Sequence, residues 1–505
     1  MDMLVTKLVI RSLSFLPLAP TITLPKHYIA YSYENYGGGN RKEFDAIVSP
    51  YDFADTYFPA FRSSIVDGKA KGVLCSYNSI NGVPTCANNA SENDLLWNKL
   101  GFDGYITSDS GAIEAISDRH HYVATRCEAA RIAILAGTDV NSGWLFGYIK
   151  CLPGLLRFEL GLFDPIGDQP YWKVKPSDVN TVEAKQLSLD LARKSIVLLQ
   201  NNNSVLPLQK GTKLAVLGPH AQAKWGLIGN YLGQMCHGDY NEVGCIQTPL
   251  EAVTATNGAA STSFALGCNI SGNSTAGFDE AVKVTQEADA AVLFLGIDET
   301  IEAEVNDRNH INLPAIQMQL LQRIRATEAL MEAFYPGFFG AQAMADVLFG
   351  DTNPGGKLPV TMYRSDYVTS IDMKSMNMTA APGRSYRYFE GEPVFPFGWG
   401  LSYTTFSLAS SVVFAYFRPV TTGATGPATL LNQQLFDYRR VGLKPTEKNQ
   451  VSFTAQRSTL ALVDEQGNLV SFPGSYEIIV TNGVHERQTF RVQVDGEPEI
   501  IRAHV

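Results

Sequence analysis

Two places in the 505-residue chain gather carboxylates where they could do chemistry. The apolar run "GYITS" (104 to 108) ends on a single acidic residue, Asp109, and a helix is expected to follow from near Ala112. The second place, "GIDETIEAEVNDR" (296 to 308), follows another apolar run and packs Asp298, Glu299, Glu302, Glu304, Asp307 and Arg308 into one short stretch. Like charges that close cost stability unless they are solvated or paired. A solvated acidic loop is therefore the plain alternative for the second cluster. Carboxylates on two different loops are also what cleavage of a glycosidic bond requires. One attacks the anomeric carbon while the other, protonated, delivers a proton to the leaving oxygen; a separation of about 5 to 5.5 Å gives retention of configuration.

The elements around these residues read as strand and helix in alternation. "GVLCSYN" and "GYITSD" have the length and apolar content of buried strands, and "HYVATRCEAARIAILAGTDV" reads as a helix leading through Gly137 to another strand end. That is the pattern of a parallel α/β unit, in which the carboxyl ends of the strands carry the chemistry. A second α/β block begins near 185 with the helical pattern "EAKQLSLDLARKSIVLLQN", followed by the strands "KLAVLGP" and "ADAAVLFLGI". The C-terminal block alternates apolar and polar residues in "STLALVDEQGNLV", "GSYEIIVTNG" and "RQTFRVQV", which predicts a small antiparallel β-sandwich. "RPVTTGATGPATLLNQQ" is expected to be a mobile loop.

Composition narrows the function classes. The net charge of -10 and the lack of a basic run argue against a nucleic-acid surface, and no stretch of about eighteen uninterrupted apolar residues predicts a membrane span. The opening "MDMLVTKLVIRSLSFLPLAP" has a basic residue and an apolar patch. Arg11 splits that patch and no small-residue cleavage site follows, so no convincing signal peptide is read there. The seven cysteines show no CxxC and no Cys/His metal spacing, so no metal site is expected. Cys75 with Cys86 and Cys236 with Cys245 are spaced to close short loops, and sequons at Asn89, Asn202, Asn269, Asn273 and Asn377 would suit a secreted glycoprotein. A nucleotide-dependent role for the second block has no support, since neither a P-loop nor GxGxxG follows its strands.

Several motifs in order carry a resemblance. "KGVLCSYNSINGVPTCAN", "GFDGYITSD", "HHY" (120 to 122), "ARKSIVLLQNNNSVLPL", "IEAEVNDR" and "FPFGWGLSYTTF" resemble the landmarks of family 3 glycoside hydrolases, and within them the β-xylosidase and α-L-arabinofuranosidase branch. The motifs cover the chain from about residue 25 onward. The resemblance implies an α/β multidomain protein: a (β/α)8-like barrel, an α/β sandwich domain and a C-terminal fibronectin-III-like β-sandwich. The expected boundaries are an unassigned segment 1–25, the barrel 26–165, a linker 166–184, the α/β sandwich 185–365, a linker 366–404 and the tail domain 405–505. By motif position Asp109 is the nucleophile. Lys26 and His27 in "PKHYIAY" match the pair that grips sugar hydroxyls, and Tyr77 matches a tyrosine of the same pocket. A lysine and a histidine suit that place because both donate hydrogen bonds to sugar oxygens. The acid/base falls in "IEAE", with Glu302 preferred and Glu304 as the alternative. Arg308 is expected to pair with Asp307, because an arginine set against a glutamate favours its ionised form, contrary to the needs of an acid. No cofactor is implied, the partner is an oligosaccharide or glycoside, and family members are extracellular; the oligomeric state is open.

The chain also departs from the family pattern. The family's barrel elements before the Lys-His pair have no counterpart in the first 25 residues. A helix and turn are missing between "GWLFGYIKCLPGLL" and "RFELGLFDP", and a strand and loop between "LLQRIRATEALME" and "AFYPGFFGAQAMADVLFG". The barrel is therefore expected to be incomplete, with exposed strand edges. Ser110 and Ser142 stand where the branch often has cysteines, which reads as a disulfide lost as a pair, and Val305 replaces a glycine after "IEAE". These features keep two alternatives beside a xylosidase: a β-glucosidase of the same family, and a non-catalytic carbohydrate-binding relative or inactive truncated product.

Overall fold

The computed structural model describes residues 23–503 apart from 144–164, 169–171, 230, 239–241, 325–327, 405–411, 423–425, 427–429, 443–446 and 485. The segments 1–22 and "GWLFGYIKCLPGLL" from residue 144 on thus lie outside the described residues. Two short apolar strands form the centre of the first unit. β1 (Gly72–Cys75) runs parallel to β2 (Tyr105–Ser108), with Val73 opposite Ile106 and Cys75 opposite Ser108. On the far side of β1, Gly72 and Leu74 donate to Thr23 O and Pro25 O, and Tyr28 N–H donates to Leu74 O. On the far side of β2, Thr107 bridges Val140 in parallel. Four neighbouring extended segments therefore stand where a closed barrel has eight, and the expected incomplete (β/α)8-like barrel is what the described residues form. Val73, Cys75, Ile106, Ile113 and Ile116 are fully buried among them, which holds this open sheet as a packed core.

Local signals set the helices after each strand. α1 (Ala112–Asp118) starts where expected, after Gly111 in a left-handed conformation (φ 78°). α2 (Arg126–Ala136) is entered through a capping box in which Thr125 and Glu128 satisfy each other's backbone N–H groups. It stops at Gly137, whose φ of 118° and close approach to the Trp97 ring leave no room for a side chain. A Cys75–Cys86 disulfide ties the end of β1 to the following turn, and Cys236–Cys245 closes a second loop. Closing loops of this size stabilises by about 3 kcal/mol in the chain-entropy picture.

The second unit departs from its expected pattern at one point. The helix read over "EAKQLSLDLARKSIVLLQN" ends early. α3 covers Val182–Ser195, and β3 (Val197–Asn201) follows directly. Ile196, Val197 and Leu198 are fully buried, and burial on both faces with a β-branched pair favours a strand over another helical turn. Beyond it, β4 (Leu214–Leu217), β5 (Thr262–Ala265) and β6 (Ala290–Leu293) make a parallel sheet in the order β5-β4-β6. β7 (Ala329–Glu332) instead pairs antiparallel with β3 as a separate ribbon. The parallel sheet therefore does not continue from β6 to β7.

The tail forms two antiparallel sheets. β8 (Val412–Thr422), β9 (Gln434–Arg440), β12 (Gly474–Thr481) and β13 (Arg487–Val494) are ordered β9-β8-β12-β13. The smaller sheet joins β10 (Leu462–Val463), β11 (Leu469–Ser471) and β14 (Glu499–Arg502). The mobile loop expected from Arg418 is corrected for its first residues. Arg418 to Thr422 belong to β8, in register with Glu477 to Gly474, and Arg418 pairs with the Glu477 carboxylate at 2.6 Å. The stretch before the tail is also anchored. Arg387 holds Asp55 with two hydrogen bonds of 2.6 and 2.7 Å, and Tyr388 OH donates to the same carboxylate at 2.7 Å, fixing 384–390 to the first unit.

Candidate active site

Asp109 sits at the carboxyl end of β2, on the turn into α1. Its N–H donates to Cys75 O and its carbonyl accepts from Ala112 N–H, each at 3.0 Å, so the backbone is held from both sides while the carboxylate projects from the strand end. Asp109 Oδ1 accepts from Ser110 N–H at 2.7 Å, and Asp109 Oδ2 lies 3.4 Å from His27 Nε2. Burial, and then Lys26, lower the pKa of His27 against the opposing pull of Asp109, Glu34 and Glu304. Lys26 Nζ stands 4.3 Å from the centre of the Tyr231 ring. Tyr77 OH donates to Ser110 O at 3.0 Å, and burial followed by the Asp109 charge push its pKa up. His120 of "HHY" braces this tyrosine. Its Nε2 is 2.7 Å from Tyr77 O and its Nδ1 is 3.0 Å from Ser79 Oγ, so a neutral ring protonated at Nε2 satisfies both contacts. Ser110 Oγ and Ser142 Oγ lie 3.1 Å apart, so the two substituted positions are spatial neighbours.

The acidic loop after β6 closes over the same region. Both oxygens of Glu304 are occupied: Tyr231 OH donates to Oε2 at 2.5 Å and Arg41 Nη1 to Oε1 at 2.7 Å. Tyr231, then Arg41, hold this carboxyl below its ordinary pKa. Arg41 also pairs with Glu34 at 2.9 Å. Asp307 is not the partner of Arg308, because its Oδ2 is taken by Glu34 N–H at 3.0 Å and Asn35 N–H at 2.8 Å. The guanidinium of Arg308 turns instead to Glu302, with Nε 3.0 Å from Oε2, which corrects the expected pairing. Ala303 and Asn306 exchange backbone hydrogen bonds of 3.0 Å, and Val305 within that turn is left-handed at φ 71°. A β-branched residue there costs about 1–2 kcal/mol, and its side chain is half exposed, so little packing offsets the cost. Val305→Gly should therefore stabilise the protein by about 0.5 kcal/mol once the greater chain entropy of glycine is subtracted. Thermal unfolding that shows Val305→Gly melting below the parent would contradict this.

His27, Glu34, Arg41, Tyr231, Ala303 and Glu304 line a cavity of about 200 Å³. That is below the usual volume for a drug-sized ligand and suits a single sugar unit. Of the site residues named from the sequence, His27 and Glu304 line the cavity. Asp109 touches it through His27, while Lys26 and Tyr77 stand beside these residues. Glu302 is not among the lining residues and faces Arg308. The sequence reading missed Glu34, Arg41 and Tyr231. A signal for the first two existed in "ENYGGGNRK", where a glycine run between opposite charges follows the Lys-His pair closely. Tyr231 had only its place just before the Cys236–Cys245 loop. Among the described residues no group of three or more His, Cys, Asp or Glu is arranged to hold a metal ion, and no helix is long and apolar enough to cross a membrane.

Comparison with known proteins agrees with this layout. The glycosyl hydrolase family 3 N-terminal domain model matches residues 3–142, its C-terminal domain model matches 196–328 and 325–403, and a fibronectin type III-like domain model matches 411–484. A protein named probable exo-1,4-β-xylosidase from Aspergillus terreus is 33% identical over 90% of this chain and 69% of its own length. The chain belongs to glycosyl hydrolase family 3. The family match reaches further toward the N-terminus than the motifs from residue 25 onward, and its C-terminal part falls in two matches that overlap at 325–328, ahead of β7 and not after Glu332, where the missing strand was expected. A β-xylosidase/α-L-arabinofuranosidase of Medicago sativa is 38% identical over 75% of the chain, which spans only 54% of that plant protein. A solved structure of a family 3 exo-β-xylosidase with a xylobiose aziridine probe superposes with a TM-score of 0.85 at 27% identity. It covers 96% of this chain and 73% of the other.

Proposed function

We propose that this family 3 chain is an exo-acting, retaining β-glycosidase that releases terminal β-linked xylose, with arabinose as a second sugar, from xylan-derived oligosaccharides, with Asp109 as nucleophile and Glu304 as acid/base. The observation that carries the assignment is that His27 contacts the Asp109 carboxylate and lines one cavity with Glu304. Xylose as the sugar is favoured by the xylosidase names of the relatives. In the first step an Asp109 oxygen bonds to the anomeric carbon, the bond to the glycosidic oxygen breaks, and the Glu304 proton passes to that oxygen. In the second step Glu304 takes a proton from water, the water oxygen attacks the same carbon, and the Asp109 carboxylate leaves. Two inversions give net retention. Neutral His27 and charged Lys26 donate to hydroxyls of the bound sugar. The two disulfides, with the exposed asparagines of every sequon noted, support passage through an oxidising secretory compartment.

A β-glucosidase is the second reading, favoured by Ser110 beside the nucleophile. Initial rates on nitrophenyl xyloside, arabinofuranoside and glucoside separate the two. The xyloside should be turned over with the highest kcat/KM, and a preference for the glucoside would reverse the sugar assignment. Incubation with a 2-fluoro-xyloside should add one glycosyl mass to the peptide holding Asp109. A folded sample with no label and no turnover would favour a non-catalytic carbohydrate-binding relative.

A further inference from the structure

We infer that Asp307 and Glu34 are positioning residues that set where Glu304 stands relative to Asp109, by clamping the loop of the second unit onto the first. The inference rests on the acid/base role of Glu304 proposed above. Glu304 lies on a stretch with no helix or strand of its own between β6 and Ala315, where the next helix begins. Local bonds hold the stretch through the Ala303–Asn306 turn, Asn306 Nδ2 to Ile301 O and the Arg308–Glu302 pair, and the rest of its support at Glu304 comes from residues far away in sequence. Two neighbouring N–H groups, of Glu34 and Asn35, converge on one oxygen of Asp307. In return Val305 N–H donates to Glu34 Oε2 at 3.1 Å, so each acidic side chain accepts from the backbone of the other's loop. Glu34 is itself oriented by Tyr31 OH at 2.7 Å on Oε1 and by Arg41 on Oε2. The reciprocal pair brackets Glu304, the residue before Val305 and three before Asp307. Neither carboxylate has a required part in the bond changes, yet both fix the height of Glu304 over the strand end that bears Asp109. Charge-assisted bonds to backbone N–H groups are short and directional, which suits them to that task.

Misplacing a catalytic group by about 1 Å costs on the order of 100-fold in rate. The loss should fall only on substrates that need the acid. In Asp307→Asn and Glu34→Gln, kcat/KM for xylobiose, whose leaving group must be protonated, should drop roughly 100-fold. In Asp307→Asn the value for a dinitrophenyl xyloside, whose leaving group departs unprotonated, should change little, and so should the rate of Asp109 labelling by a 2-fluoro-xyloside; in Glu34→Gln, whose side chain also lines the cavity, both should fall by much less than the xylobiose value. Circular dichroism and thermal melts identify folded variants; if Asp307→Asn does not fold, Glu34→Gln decides. Equal losses on both substrates would mean a general structural role, and no loss on either would mean no role; both overturn the inference. A parent protein that is neither active nor labelled would overturn the functional reading beneath it, which separates that failure from this one.

Discussion

Asp109→Ala should lower kcat/KM on every glycoside substrate by at least roughly 10⁴-fold, because alanine cannot make the bond to the anomeric carbon proposed for the Asp109 oxygen. The fold should tolerate the change. Asp109 is tied to Cys75 and Ala112 through its backbone, and Ser110 N–H is the neighbouring backbone group that loses an acceptor. A surface-proximal loss of that size changes stability by about 1 kcal/mol or less. The chemistry offers a sharper readout than the loss itself. Azide added to the variant can enter the space left by the carboxylate and attack the anomeric carbon from the nucleophile's face, inverting it once. The recovered product should be the α-glycosyl azide, whose configuration proton NMR reports. Recovery of a β-azide, or activity within about tenfold of the parent, would remove Asp109 from the nucleophile's role.

Asp109 was legible in the sequence because everything that presents it is local. A four-residue apolar strand, a polar turn and Gly111 before a helix each leave a mark within a dozen residues. The structure forms β2 and α1 at those marks. Cys75 with Cys86 and Cys236 with Cys245 were legible for the same reason, since a short loop brings its ends together without help from the rest of the chain. The end of α3 was not legible. Ile196 to Leu199 continue an apolar pattern that a helix would also show, and only pairing with β7, more than a hundred residues on, makes them a strand. The partner of Arg308 failed on the same ground. Local spacing offers Asp307, but two backbone N–H groups from the first unit claim that carboxylate first. Glu34, Arg41 and Tyr231 enter the site across the boundary between units, and periodicity carries no record of such contacts.

The choice between Glu304 and Glu302 should be decided by a difference in kind as well as in size. Glu304→Ala should cost roughly 10² to 10⁴-fold in kcat/KM on xylobiose and far less on a dinitrophenyl xyloside. Glu302→Ala removes a half-exposed ion pair with Arg308, worth at most about 1 kcal/mol, and should leave both substrates little affected. The pH profile adds an independent check. In the proposed mechanism the first step needs Glu304 protonated, so activity should fall as pH rises through its pKa. Tyr231 and Arg41 hold that pKa down, which places the basic limb of kcat/KM at lower pH than an ordinary glutamate would give. Tyr231→Phe removes the first of these donors, lets the pKa rise and should move the basic limb to higher pH. A limb that stays in place in Tyr231→Phe, or that disappears in Glu302→Ala and survives in Glu304→Ala, would transfer the acid/base role to Glu302. The two glutamates are two residues apart in the chain, yet one meets donors from both units at the cavity wall while the other is paired with the arginine of its own loop. Since each glutamate meets an arginine, Arg41 or Arg308, the place of Glu304 in the cavity wall beside His27 is what favours it for the proposed proton transfer.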